Sequence, residues 1–220
     1  MTIDWQTIGP VLLTSIGQTV WMVLATMLVG GLLGLLLGIA LYTTRAGGIL
    51  ANRLVFTALN VLVNIIRPIP FIIFITAIGP LTIKVVGTTL GTSAATFALI
   101  VAATFGISRI VEQNLVTIDP GVIEAARAMG ASPLRIITTL LVPEALGPLI
   151  LGYTFVFVAV VDMTAVAGAV GGGGLGDFAI SYGYQRYDWT VTVIAVVIII
   201  VLVQAAQYLG NWLSRKALRR

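Results

Sequence analysis

The chain has 220 residues, of which 59% are hydrophobic and 9% charged, with 12 Lys and Arg against 8 Asp and Glu. A soluble domain carries about 25% charged residues, so this composition excludes an ordinary water-facing surface, and a mean hydropathy of +1.09 makes the bilayer its natural solvent. Cysteine and histidine are absent, which excludes disulfides, thiolate chemistry and imidazole bases or ligands.

Without water, spanning backbone must satisfy itself as helices or closed barrels, and long unbroken apolar runs select helices. The chain therefore reads as an all-α polytopic membrane protein with five transmembrane helices, over 16–42, 57–78, 93–110, 140–163 and 189–213. The opening "MTIDWQTIGP" has no Lys or Arg and does not read as a signal peptide. In the first span Gly30, Gly34 and Gly38 recur every four residues, the spacing that lets helices approach closely in lipid. They read as packing within one subunit, with a subunit interface as the alternative.

Arg67 falls near the middle of the second span, where a charge costs about 2.5–3.5 kcal/mol on insertion scales and normally faces a bundle interior or cavity. Pro68 and Pro70 free backbone carbonyls to which its guanidinium can donate. Lining of a pathway and structural anchoring are both open to it. No Glu or second basic residue within a span is expected beside it. The third span is short and tapers into polar residues.

Residues 118–135, "IDPGVIEAARAMGASPLR", interrupt the hydrocarbon within a connection spanning about 111–139. Asp119-Pro120 is an N-cap followed by the first helical position, Gly130 can end that helix, and Ser132-Pro133 starts another. Val122, Ala126 and Met129 share one predicted face, with Arg127 elsewhere. A helix lying on lipid is one reading. The small Ala125 and Ala126 would instead let another protein's backbone approach, which favours docking into a groove of a cytoplasmic partner.

Near the outer end of the fourth span Asp162 raises the same question as Arg67, and the two could pair. Residues 164–176 are expected to unwind the end of that span and line an external gate, with a flexible connector as the alternative. Arg67, Asp162, Met163 and Val166 are the candidate pathway or gate residues. Gly171-x-Gly173-x-x-Gly176 formally satisfies a dinucleotide fingerprint, but that pattern has meaning only between a strand and a helix. Lys84 follows Ile83 and Lys216 follows Arg215, so neither sits in a phosphate-binding loop, and ATP hydrolysis by that route needs a partner. Tyr182, Tyr184, Tyr187 and Trp189 precede or open the last span as an interfacial aromatic belt.

Charge placement orients the spans. Arg45, Arg53, Arg109, Arg127, Arg135, Arg215, Lys216, Arg219 and Arg220 fall on one set of connections, and only Lys84 and Arg186 on the other. Positive segments resist translocation, which predicts the N-terminus outside and the C-terminus in the cytoplasm. The basic tail is thereby assigned to topology and anionic lipid, with no role for nucleic acid.

"EAARAMG" followed by Pro143 resembles the coupling motif of bacterial ABC-importer permeases: Glu-Ala-Ala, three residues, Gly, nine residues, then Ile-x-Leu-Pro. The match falls on Glu124, Ala125, Ala126, Gly130 and Pro143, with Leu140 and Val142 replacing Ile and Leu at equal apolar bulk. "VNIIRPIPFIIF" and "GAVGGGGLGDFAISYGYQRYD" are similar to segments of the methionine-import permeases within that superfamily. The resemblance implies the type I ABC-importer permease fold as a single domain over 1–220. It also implies a homodimer, each coupling loop docked on one of two ABC ATPase subunits, and an extracytoplasmic solute-binding lipoprotein that the outer aromatics could help to seat. The implied cargo is methionine, L- and D-forms, with another small amino acid or related solute as the alternative. No cofactor, metal or catalytic residue is implied. A self-sufficient secondary transporter is the competing class, and it leaves the coupling loop unexplained.

Overall fold

A computed structural model describes residues 5–218, all of whose regular structure is helical. Arg219 and Arg220 of the basic tail lie outside the described residues. The elements in chain order are α1 (Trp5–Ala25), a π-turn (Thr26–Gly30), α2 (Gly31–Thr44), α3 (Arg53–Ile66), α4 (Phe71–Ala77), α5 (Gly79–Val86), α6 (Thr92–Val116), α7 (Pro120–Ala128), α8 (Pro133–Ile136), α9 (Val142–Glu144), α10 (Leu146–Ala167), α11 (Gly174–Phe178) and α12 (Trp189–Leu218). Four continuous helical stretches are long and apolar enough to cross a membrane: Trp5–Thr44, Thr92–Val116, Leu146–Gly172 and Trp189–Leu218.

The second expected span is not one helix. It is two helices, α3 and α4, broken across Arg67–Pro70 and together apolar and long enough to cross. The cause is local: Pro68 and Pro70 have no N–H to continue the ladder, and each disfavours helix in the residue before it. The first helix is longer than read, because Trp5–Ile16 carries no charge to stop it. The third also runs on, to Val116, so the connection after it begins later than residue 111.

The chain packs as two compact units. The first takes in Met1–Gly30, Ile69–Ala103 and Phe157–Ala206. Its centre joins Met22, Ala95, Leu99 and Ala167, with Met163, Phe71 and Ile75 against them. A second cluster seats Phe178, Val191 and Ala195 against Ile8, Val11 and Leu12. α10 stays helical through Ala167, so residues 164–167 do not unwind as the sequence reading supposed. The departure is confined to a turn at Val170–Gly174, where Gly171, Gly173 and Gly174 have φ of +85°, +76° and +81°. Those dihedrals cost little only for glycine. The chain then doubles back as α11, lying close enough on α10 that a Cβ on Gly176 would sit 2.5 Å from the Ala165 Cα. Two polar side chains of α1 hold the returning backbone: Gly174 N–H donates to Gln18 Oε1 (2.7 Å) and Leu175 N–H to Thr19 Oγ1 (2.8 Å).

The second unit comprises Gly31–Pro68, Thr104–Val156 and Gln207–Arg220. Within it α2 packs closely on α6. A Cβ on Gly34 would meet Ile107 Cβ at 2.6 Å, and one on Gly38 would meet the Ser108 carbonyl at 2.5 Å. The Gly34 and Gly38 stripe thus packs within one subunit, the direct-approach role of small residues in lipid-facing helices. Tyr153 of α10 donates to the Gly31 carbonyl at 2.7 Å, and Ser214 of α12 to the Gly147 carbonyl at 3.1 Å.

Candidate functional site

Two features of the second unit carry chemistry. The first is α7 with its flanks. Asp119 Oδ1 accepts from Gly121 N–H at 2.8 Å and Pro120 occupies the first turn, as expected for a capped start. The helix ends through Gly130 at φ +78°, whose N–H donates to the Arg127 carbonyl (2.9 Å), and Ala131 N–H donates back to the Ala126 carbonyl (3.1 Å). Ser132 then accepts from Arg135 N–H at 3.4 Å to open α8. The inward face differs from the sequence reading. Ile123 and Ala126 are buried, whereas Val122 and Met129 are exposed, Met129 to 81%. The two assignments differ by one residue, about 100° of helix rotation, and Ile123 is the one that faces the 45–49 turn. There a small cavity of about 80 Å³ is bounded by Tyr42, Arg45, Ile49, Ile123, Glu124 and Arg127. Arg45 stacks over the Tyr42 ring at 4.3 Å, which steadies that wall.

Glu124 and Ala125 are exposed, as are Val122 and Met129, and Glu124 also borders the cavity against the 45–49 turn. Ala126 of the motif serves the interior instead. Glu124 forms no ion pair among the described residues. Pro143 lies in α9, after a π-turn at Ile137–Leu141 that loosens the approach to α10. An exposed acid beside an alanine, with two large apolar side chains projecting, is an interaction face rather than a reaction centre.

The second feature was not visible in the sequence. Arg109, counted there as a loop charge, lies within α6, and both terminal nitrogens of its guanidinium are engaged. Nη1 pairs with Glu112 Oε2, while Nη2 donates to Asn60 Oδ1 (2.8 Å) and Asn64 Oδ1 (2.5 Å) of α3. Glu112 is 8% exposed. Such a charge between apolar helices persists only when paired and hydrogen-bonded, which these four residues accomplish together. Beside them opens a cavity of about 410 Å³ bounded by Asn64, Arg67, Arg109, Glu112, Gln113 and Val116. Arg67 thus does have a Glu and a second basic residue for neighbours, contrary to the sequence expectation. The signal that could have found them is the Asn60/Asn64 pair at i, i+4 on α3 and the Arg109/Glu112 pair at i, i+3 on α6.

The family model for the binding-protein-dependent transport system inner membrane component matches residues 32–219. The chain belongs to that family. Among its relatives, the probable D-methionine transport system permease protein MetI of Vibrio cholerae is 44% identical over 205 residues, 93% of this chain and 91% of its own. The methionine import system permease protein MetP of Bacillus subtilis is 39% identical over 174 residues, 79% of this chain and 78% of its own. A solved structure of the MetNI methionine ABC transporter, in inward-facing conformations, contains a chain 38% identical that superimposes with a TM-score of 0.92 over 99% of both chains.

As an inner-membrane transport component, this permease is a multi-pass membrane protein and a transporter subunit rather than an enzyme. Its remaining candidate residues separate by unit. Arg67 caps α3 in the second unit, its N–H donating to the Val63 carbonyl at 3.0 Å. Asp162, Met163 and Val166 lie on α10 in the first unit, where Asp162 is exposed and Met163 packs against the Met22–Leu99 cluster. The permease's glycine-rich turn follows them directly.

Proposed function

We propose that this chain is the membrane subunit of an ATP-driven importer of methionine, carrying L- and D-forms inward by alternating access. Two copies form the core around a two-fold axis, each holding one ABC ATPase subunit at its cytoplasmic face. An extracytoplasmic solute-binding lipoprotein delivers the cargo from the other side. The N-terminus lies outside and the C-terminus in the cytoplasm, in line with the distribution of Lys and Arg.

The observation that carries this reading is the outward face of α7. Glu124 and Ala125 stand free at the motif spacing from Gly130 and Pro143, on a helix capped at both ends and anchored by Ile123 and Ala126. A rigid, partnerless face of this kind is suited to transmit the motion of a docked subunit. ATP binding draws the ATPase subunits together, and their differential contact with the two α7 helices biases the inward-open and outward-open states. Arg67, Asp162, Met163 and Val166 line the path or its gate.

The test is uptake of labelled methionine by proteoliposomes holding the chain, its ATPase and its binding protein. ATP-dependent accumulation is expected, and Glu124→Lys should lower it by at least tenfold while the chain still inserts and dimerises. Normal uptake by that variant would remove α7 from the mechanism. Accumulation driven by an ion gradient without the ATPase would point to a secondary transporter.

A further inference from the structure

The cavity beside the Arg109 network has an uneven charge inventory. Arg109 and Glu112 neutralise one another, and Asn60 and Asn64 take the second guanidinium nitrogen of Arg109. Arg67 is different: it is exposed on the same wall and has no ion-pair partner among the described residues. The space therefore holds one uncompensated guanidinium. It also holds one carboxylate that uses Oε2 for Arg109 and so leaves Oε1 to another donor, one amide at Gln113, and an apolar side at Val116. Its volume, about 410 Å³, lies in the range of small-molecule sites.

We infer that this cavity is a transit site for an α-amino acid, resting on the importer function proposed above. The Arg67 guanidinium takes the α-carboxylate through its two-pronged donor geometry. Glu112 Oε1 accepts from the α-ammonium, and the side chain lies towards Val116. A zwitterion suits this arrangement better than an anion, because only an ammonium can donate to the free Oε1 of Glu112. It also suits it better than a cation, because Arg67 and Arg109 together outnumber the single carboxylate. Arg109 is a positioning residue here: held by three acceptors, it fixes the rotamer of Glu112 and leaves Arg67 as the mobile donor. Arg67 caps the end of α3 rather than standing in mid-helix, and its side chain is exposed.

The chain contains no cysteine, so Val116→Cys places its only thiol on the cavity wall. The permease bound to its ATPase, in lipid nanodiscs, is labelled with a maleimide and the rate is read on the permease band. For a stop along a path, with a Kd of about 1 mM, methionine at ~10 mM should slow labelling about tenfold. The same concentration of 3-(methylthio)propylamine, which lacks the carboxylate, should give no protection. Arg67→Ala should abolish protection by methionine, judged against that variant's own unliganded labelling rate. Equal protection by the amine, or protection that survives Arg67→Ala, overturns the carboxylate assignment. Wild-type methionine uptake is measured alongside. Uptake without any protection overturns the site alone, whereas absence of uptake overturns the importer function and the site with it.

Discussion

Arg109 shows how much one residue's role depends on what it touches. On a cytoplasmic loop it would be one more topogenic charge; inside α6 it becomes the hub of Asn60, Asn64 and Glu112. Hydrogen bonds to charged groups contribute about 1.5–3 kcal/mol, so Asn60→Leu should lower the melting temperature of the detergent-solubilised chain by several degrees. A thermal-shift assay reads this directly, and an unchanged melting point would mean that water replaces the amide. Glu124 is the opposite case. It is exposed and unpaired, so Glu124→Gln should alter stability by less than about 0.5 kcal/mol, even though the charge-reversed variant should stop uptake.

At the level of elements, helix boundaries follow short-range chemistry. Removing the α7 cap with Asp119→Ala deletes the 2.8 Å bond to Gly121 N–H and should cost about 1 kcal/mol. Amide exchange over residues 120–128 should then accelerate about fivefold, which mass spectrometry of the exchanged chain can follow. The α2–α6 contact makes a sharper prediction. Gly38→Ala forces a Cβ to 2.5 Å from the Ser108 carbonyl, a backbone atom that cannot rotate away, whereas Gly17→Ala on α1 meets nothing within 4 Å. Overpacking of this kind costs about 1–3 kcal/mol, so Gly38→Ala should reduce the yield of folded protein on size-exclusion chromatography and Gly17→Ala should not. The break between α3 and α4 belongs to this scale too. Arg67-Pro68 and Ile69-Pro70 announce a break in the helix, and α3 duly ends at Ile66.

For the whole molecule, sidedness is the property on which the proposed function rests. Tyr187 and Met129 are exposed to 83% and 81%, and neither is enclosed by its own unit. In intact cells a membrane-impermeant maleimide should label Tyr187→Cys, and Met129→Cys only after permeabilisation. The reverse pattern would invert the topology and place α7 out of reach of a cytoplasmic ATPase.

By itself the sequence determined the solvent, the helical class, the caps of α7 and α8 and the motif at Glu124, Ala125 and Gly130. Each depends on composition or on residues within about four positions of one another, where spacing is already geometry. Only the tertiary structure decided which way each helix faces. α2 and α10 are apolar nearly all round, so periodicity leaves their rotation about the axis undetermined. For the same reason the meeting of Asn60 with Arg109, 49 residues apart, could not be read in advance. In α7, where Ile123 and Val122 compete for the interior, local pattern was equally consistent with two phases, and the wall offered by the 45–49 turn selected one. The cavity at Arg67 lies between the end of α3 at Ile66 and the Arg109–Val116 stretch of α6, a juxtaposition set by packing between distant segments rather than by any property of either alone.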